Sequence, residues 1–389
     1  MFYHLCAIAL ILLVIGMAVI RRCNLYSPIV ISSLIWLVVF ITGLFVKERF
    51  YPLQEKAFIA WLIFFMVTNL IFFLLYPSRS IHARIENEIR KIPIDYTLLL
   101  LLLLVWLSYR IWVVGSGGPE YFFLNLRLSS NNIEGFLPIG LVARFYPLVF
   151  ALFLFEHVYE RKDNRHLRLM LWTLMLLYAI ANMGKLNILT PMVSYIIIQG
   201  IKGKISILRI FAYSAVVLAA MLAIHSIRSG GANETTIGDI FAIYIYSPLV
   251  ALGYMDIDTT LPIASYVLRF FYVLGNILDI APHPVDVITP YVWIPEPTNV
   301  YTVMQPFYYD FGLLGVLFEA VFYGLFFSCL YWLSAKKGGL WLIIFSGFSI
   351  VLVGQFIVDL FIMLLSGNLQ FLICASAIFI ISKRICYVC

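Results

Sequence analysis

Leu98 to Leu104 is an unbroken run of leucine inside an eighteen-residue stretch, Thr97 to Val114, whose one charge is Arg110. Nothing there alternates as a half-buried strand would, and no polar stripe is present to face water. At about 1.5 Å per residue such a segment reaches across most of a bilayer's hydrocarbon core. Comparable runs recur along the chain, which is 63% hydrophobic and only 12% charged, so the solvent for most of it is lipid. In lipid every backbone N–H and C=O must be satisfied internally, and unalternated apolar runs meet that demand as helices. The sequence therefore predicts an all-α polytopic membrane protein.

About eleven transmembrane helices are expected, near positions 3–20, 27–46, 57–76, 97–114, 141–158, 168–183, 187–201, 206–226, 312–334, 340–364 and 369–382. No repeat, low-complexity tract or linker interrupts them, so residues 1–389 read as one integral membrane domain. The positive-inside rule orients them. With the N-terminus outside and the C-terminus inside, the inner segments carry Arg21 and Arg22; Arg79, Arg84, Arg90 and Lys91; Arg161, Lys162, Arg165 and Arg168; Lys202 and Lys204; Lys336 and Lys337; and Lys383 and Arg384. Most acids fall on the other side. The formal charge of +6 thus reflects topology rather than a nucleic-acid-binding face.

Two outer loops are long, about 115–140 and about 227–311. Within the second, Ile240–Met255 and Leu261–Leu278 are apolar and rich in Tyr and Phe, separated by the acidic turn Asp256-Ile257-Asp258. Were both to cross the membrane, that turn would put acids without a cation on the inner side. Interfacial or re-entrant amphipathic helices are the favoured reading.

Cations on the acidic, outer side are the residues that topology does not explain. Arg110, Arg127, Arg144, Lys185, Arg228 and Arg269 form that set. Guanidinium forks suit phosphate oxygens, so the set reads as a receptor for an anionic lipid headgroup. Snorkelling, pairing with nearby acids or, for Arg110 and Arg144, bonding to backbone carbonyls or aromatic faces is the plainer alternative. His225 lies one helical turn before Arg228 and is a candidate proton acceptor. His283 is another outer histidine, between two prolines, and Glu319 and Asp359 are the carboxylates set deep in predicted spans. No metal-ligand spacing, P-loop or dinucleotide fingerprint is present, and Cys386-x-x-Cys389 has no second ligand pair. No cofactor, metal or structural disulfide is expected.

The segment Thr298-Asn299-Val300-Tyr301-Thr302-Val303-Met304-Gln305-Pro306-Phe307-Tyr308-Tyr309-Asp310-Phe311-Gly312 closes the long outer loop. It resembles the N-V-Y-T…Y-x-D-x-G segment of the Wzy-type O-antigen polymerases, the oligosaccharide repeat-unit polymerases. The Gly184-Lys185 turn, where that family usually carries G-x-R, and Gly117-Gly118…Leu126-Arg127 are similar as well. The resemblance implies a GT-C-like, metal-independent glycosyltransferase of the bacterial inner membrane, with the outer loops periplasmic. Its substrate would be an undecaprenyl-pyrophosphate-linked oligosaccharide, and its partners membrane lipids and a chain-length regulator. Arg127, Lys185 and Arg228 would stabilise the departing pyrophosphate, with Arg269, Arg110 and Arg144 assisting. His225 or Asp310 would take the acceptor proton. Asn299, Tyr301, Tyr308 and Tyr309, with Trp293, would bind sugar, or the aromatics would sit at the interface. An O-antigen ligase and a lipid-linked oligosaccharide flippase are the competing readings.

Overall fold

The computed structural model describes residues 1–77, 89–160, 164–228, 238–239, 242–258, 260–286 and 289–385. The side chains of His225 and Arg228, the basic positions Arg79, Arg84, Arg161 and Lys162, and Cys386 and Cys389 lie outside the described residues.

Each of the eleven apolar segments contains a helix, but the segment expected at 340–364 is helical only to Phe356. The helices are α1 (Phe2–Ile20), α2 (Pro28–Val46), α3 (Glu55–Leu74), α4 (Thr97–Ser116), α5 (Phe122–Ser130), α6 (Tyr146–Val158), α7 (Arg165–Asn182), α8 (Lys185–Ile201), α9 (Ile207–Arg228), α10 (Ser247–Tyr254), α11 (Arg269–Ile277), α12 (Gln305–Lys337), α13 (Gly339–Val353) and α14 (Leu365–Ile381). Among the described residues, seven helical segments are long and apolar enough to cross a membrane: α1, α2, α3, α4, α6 with its preceding 3₁₀ turn, α12, and α13 with the 3₁₀ turn Gly354–Phe356 that follows it. The other four segments expected to cross are α7 to α9 and α14. Two of them, α8 and α14, have 17 residues each, and α7 opens on Arg165 and Arg168.

The buried faces follow helical periodicity. On α1, His4, Ala7, Ile11, Val14 and Ala18 are buried at alternating spacings of three and four, while Leu12, Leu13 and Ile20 are exposed. On α4, Leu100, Leu103, Leu107, Ile111 and Val114 are buried at spacings of three, four, four and three, leaving Leu98, Leu102 and Val105 exposed. Large aliphatic side chains covering the outside of a helix suit lipid and not water.

Two compact units are present. Unit 1 comprises Met1–Arg79, Thr235–Trp332 and Val351–Asn368; unit 2 comprises Ser80–Glu234, Leu333–Ile350 and Leu369–Cys389. Each is assembled from three separated segments, which is why no linker shows in the sequence. In unit 1, α1 packs on α2, and a π-helical turn, Ala242–Tyr246, leads into α10 against α2 and α3. Tyr246 lies so close over Gly43 of α2 that a Cβ there would sit 2.4 Å from its ring. Every residue from Ser247 to Gly253 is buried. Of the two expected forms, interfacial or re-entrant, this half of the long loop departs from the interfacial one: Ser-Pro-Leu-Val-Ala-Leu-Gly has no charge and is small and apolar on all sides, so it enters the core of unit 1. Helix α11 differs. Phe271, Leu274 and Ile277 form an exposed apolar stripe on it, and within it only Gly275 is buried. In unit 2, α7, α8 and α9 run up and down in sequence, α8 packs on both neighbours, and α5 lies against α4, α7 and α9. The strands β1 (Ile89–Lys91) and β4 (Lys383–Ile385) pair antiparallel in unit 2, and β2 (Val292–Trp293) pairs with β3 (Pro297–Thr298) in unit 1.

Candidate functional site

The sequence-predicted residues divide between the units. Unit 2 holds Arg110, Arg127, Arg144, Lys185, His225 and Arg228; unit 1 holds Arg269, Asn299, Tyr301, Tyr308, Tyr309 and Asp310.

In unit 2 the α7–α8 connection is a turn of two residues. Met183 takes a left-handed conformation at φ 45° to end α7, and Gly184 in extended conformation caps α8, so that Lys185 is the first residue of α8. Arg127 sits in the last turn of α5. One hydroxyl joins these two places: Ser130 Oγ lies 2.8 Å from the carbonyl oxygen of Arg127 and 3.1 Å from that of Asn182, the residue before Met183. Both cationic side chains carry a buried nitrogen, Nε of Arg127 and Nζ of Lys185. Because α9 runs antiparallel to α8, its final residues, with the backbone of His225 and Arg228, return to the end where α8 begins. Three of the predicted cations thus stand on elements that meet at one end of unit 2. The start of α8 adds the positive end of a helix dipole there.

Arg110 and Arg144 are placed differently. Arg110 donates from Nε to the carbonyl of Ile139 at 3.0 Å and from its terminal nitrogen to that of Pro138, and so ties α4 to the loop before Gly140. This is the backbone-carbonyl alternative that the sequence left open. Arg144 is exposed, in the 3₁₀ turn preceding α6. Asn125 organises the neighbouring loop, with its Nδ2 donating to the carbonyls of Gly115 and Glu120 at 2.8 and 2.7 Å and its Oδ1 accepting from the Glu120 N–H. It is buried and was not singled out in the sequence; its place after the Gly117-Gly118 turn was the available signal.

In unit 1 the N-V-Y-T…Y-x-D-x-G segment is a fastening. Asp310 accepts from the backbone N–H of Val267 at 2.8 Å and of Tyr266 at 3.1 Å, and from Ser265 Oγ at 3.4 Å. Tyr309 Oη accepts from the N–H of Asp258 at 2.7 Å, and its ring lies 4.5 Å from that of Tyr266. Tyr301 Oη donates to Pro290 O at 2.9 Å, Thr289 Oγ1 donates to Asn299 O, and the Val303 N–H donates to Gln355 O at 2.8 Å. Gln355 in turn accepts on Oε1 from Ser32 Oγ and Trp36 Nε1 of α2. Gly312, at φ 60°, supplies the left-handed residue that breaks α12 immediately after this anchoring turn, a conformation a side chain would oppose. Arg269 Nε donates to Val285 O at 2.8 Å, joining the same framework.

Burial, reinforced by the neighbouring tyrosine and carboxylates, pushes Tyr266 up to about 12, and burial does the same to Tyr301. Both hydroxyls stay protonated at neutral pH. Tyr301, Tyr308 and Tyr309 are buried, whereas Tyr291 and Trp293 on the same loop are each 66% exposed. Asp359 is buried after α13, outside any helix, and accepts from Tyr323 Oη at 2.5 Å and from the N–H groups of Phe361 and Ile362. Glu319 is buried in α12 one turn before Tyr323. His283 is exposed and bonds locally to Pro284 O.

No protein-family model, curated protein or solved structure matches this chain.

Proposed function

We propose that this chain is a Wzy-type polysaccharide polymerase of the bacterial inner membrane. It transfers a growing glycan from undecaprenyl pyrophosphate to the non-reducing end of a lipid-linked repeat unit, at the periplasmic face. The observation that carries the reading is the Ser130 hydroxyl set between Arg127 O and Asn182 O, which seats the Arg127 turn against the Lys185 turn. Departure of a pyrophosphate builds negative charge, and cations fixed in advance by helix packing stabilise it without reorganising at the moment of reaction. Arg127 and Lys185 fill that role, and Arg228, carried by the end of α9, completes the set. Lys185 in place of the family's arginine keeps the charge and gives up the bidentate fork.

The acceptor hydroxyl needs a base. Asp310 is engaged by two backbone N–H groups and a serine hydroxyl, which makes it a positioning residue for the loop and leaves His225 as the candidate base. Trp293 and Tyr291 offer stacking faces for the sugar chain. The test is complementation of a strain deleted for this gene with Arg228→Ala at normal expression. The expected lipopolysaccharide carries single repeat units on the core in place of a ladder. A retained ladder removes Arg228 from the mechanism, and loss of all capped core assigns the chain to ligation instead.

A further inference from the structure

The opposite end of unit 2, where α7 begins, α8 ends and α9 begins, contains two adjoining cavities that the polymerase reading does not use. One, of about 500 Å³, is lined by Glu160, Arg168, Tyr195, Lys204 and Arg209 among others. The second, of about 570 Å³, shares Glu160, Arg168 and Tyr195 and adds Arg165 and Trp172. Among the described residues, four Arg and Lys side chains line these spaces with one carboxylate, Glu160, which Lys204 engages at 3.3 Å. Their spacing places them there: Arg165, Arg168 and Trp172 recur on one face of α7, Tyr195 and Gln199 on α8, and Arg209 and Tyr213 on α9.

The wall is rigid. Trp172 Nε1 donates to His157 Nε2 at 3.1 Å while His157 Nδ1 donates to Phe153 O at 2.7 Å, and the Trp172, Tyr195 and Tyr213 rings meet edge to face in succession across the three helices. Lys202 donates to His157 O at 2.7 Å beside them. From Trp172 a further, apolar cavity of about 320 Å³ runs along the same three helices past Leu176, Ile188, Pro191 and Val216. Cationic cavities that adjoin an apolar groove across one shared side chain, Trp172, match one class of molecule: a phosphate headgroup with a hydrocarbon chain attached.

We propose that this end of unit 2 is a binding site for an anionic phospholipid, with its phosphate between Arg168 and Arg209 and a chain in the groove beginning at Trp172. Lys204 and Arg165 stand at the rim, and Tyr195 and Tyr213 supply the hydroxyl-bearing wall between them. The guanidinium groups of Arg168 and Arg209 are the members suited to bidentate phosphate contact.

Thermal unfolding of the purified full-length chain in detergent, with added phosphatidylglycerol, phosphatidylcholine or inorganic phosphate, tests this. Phosphatidylglycerol is expected to raise the midpoint by several degrees and phosphatidylcholine to leave it unchanged, with inorganic phosphate giving a small fraction of the rise. R168Q/R209Q is expected to lose the phosphatidylglycerol shift while R168K/R209K retains most of it, and Lys56→Gln, exposed in unit 1, is expected to retain all of it. Native mass spectrometry of the same proteins reads the bound lipid directly, so that a destabilised double variant is still informative: it should carry at least ten-fold less phosphatidylglycerol than the parent. An undiminished shift and lipid load in R168Q/R209Q, or equal shifts with the two lipids, overturns the site. A full shift with inorganic phosphate alone overturns the lipid assignment.

Discussion

The loop framework of unit 1 and the cation-bearing end of unit 2 treat charge in opposite ways. In unit 1 the conspicuous groups are consumed by the fold: Asp310 holds three donors of the 265–267 turn, Tyr309 holds Asp258, and Arg269 holds Val285. In unit 2 a serine hydroxyl seats the carbonyl of Arg127 beside that of Asn182, three residues before Lys185, and on the proposed reading the charges themselves meet the functional demand. On that reading a motif marks a family because it builds the loop, while the residues proposed for the chemistry lie in short turns with little sequence context.

That contrast is most exposed to attack at Asp310. Asp310→Ala leaves backbone donors without an acceptor, each at a cost of about 1–3 kcal/mol, and should lower the thermal midpoint markedly and abolish the polysaccharide ladder together. Asp310→Asn keeps an acceptor oxygen and should retain most of both. Activity lost in Asp310→Asn with an unchanged midpoint would make Asp310 catalytic and erase the distinction between the two regions. A smaller effect is expected at Arg110, where Arg110→Ala removes two bonds to the 138–139 carbonyls. Net loss should be about 1–3 kcal/mol, with the ladder shortened in proportion to folded protein and unchanged once expression is matched.

The smallest effect concerns Lys202. Burial, with Lys204 beside it, draws its ammonium down to about 8. The folded state therefore binds its proton less tightly than the unfolded chain does. The resulting penalty is fully present below pH 8 and fades as pH rises through 8 toward the unfolded value. Lys202→Met should shift the midpoint upward at pH 7 relative to its effect at pH 10, measured on the same preparation, offset in part by the lost bond to His157 O. A pH-independent difference would contradict the burial of that charge.

Much of the fold was legible because lipid imposes one rule on every span. Helix existence followed from apolar run length, whereas the buried faces of α1 and α4 did not, because apolar residues cover both sides of each. For helix α10 the neighbouring tyrosines and the acidic turn left an interfacial and a re-entrant form open, and its small, apolar circumference, which takes it into the core, disfavours the interfacial one. The Arg110 alternative was visible in advance but needed the loop carbonyls at 138 and 139 to decide it. Arg168 and Arg209 escaped notice for a different reason. The positive-inside rule already accounts for cations there, so no surplus drew attention to the cavities they line. The Ser130 bridge had no sequence signal at all, since it depends on two carbonyls from distant turns.

The most direct measurement is polymer formation by the purified chain on undecaprenyl-pyrophosphate-linked repeat units, comparing the parent with Lys185→Ala and Lys185→Arg at matched thermal stability. The account predicts a loss of at least a hundred-fold in the alanine variant, recovery in the arginine variant, and a rate unchanged by a divalent-metal chelator. Full polymerisation by Lys185→Ala would contradict it.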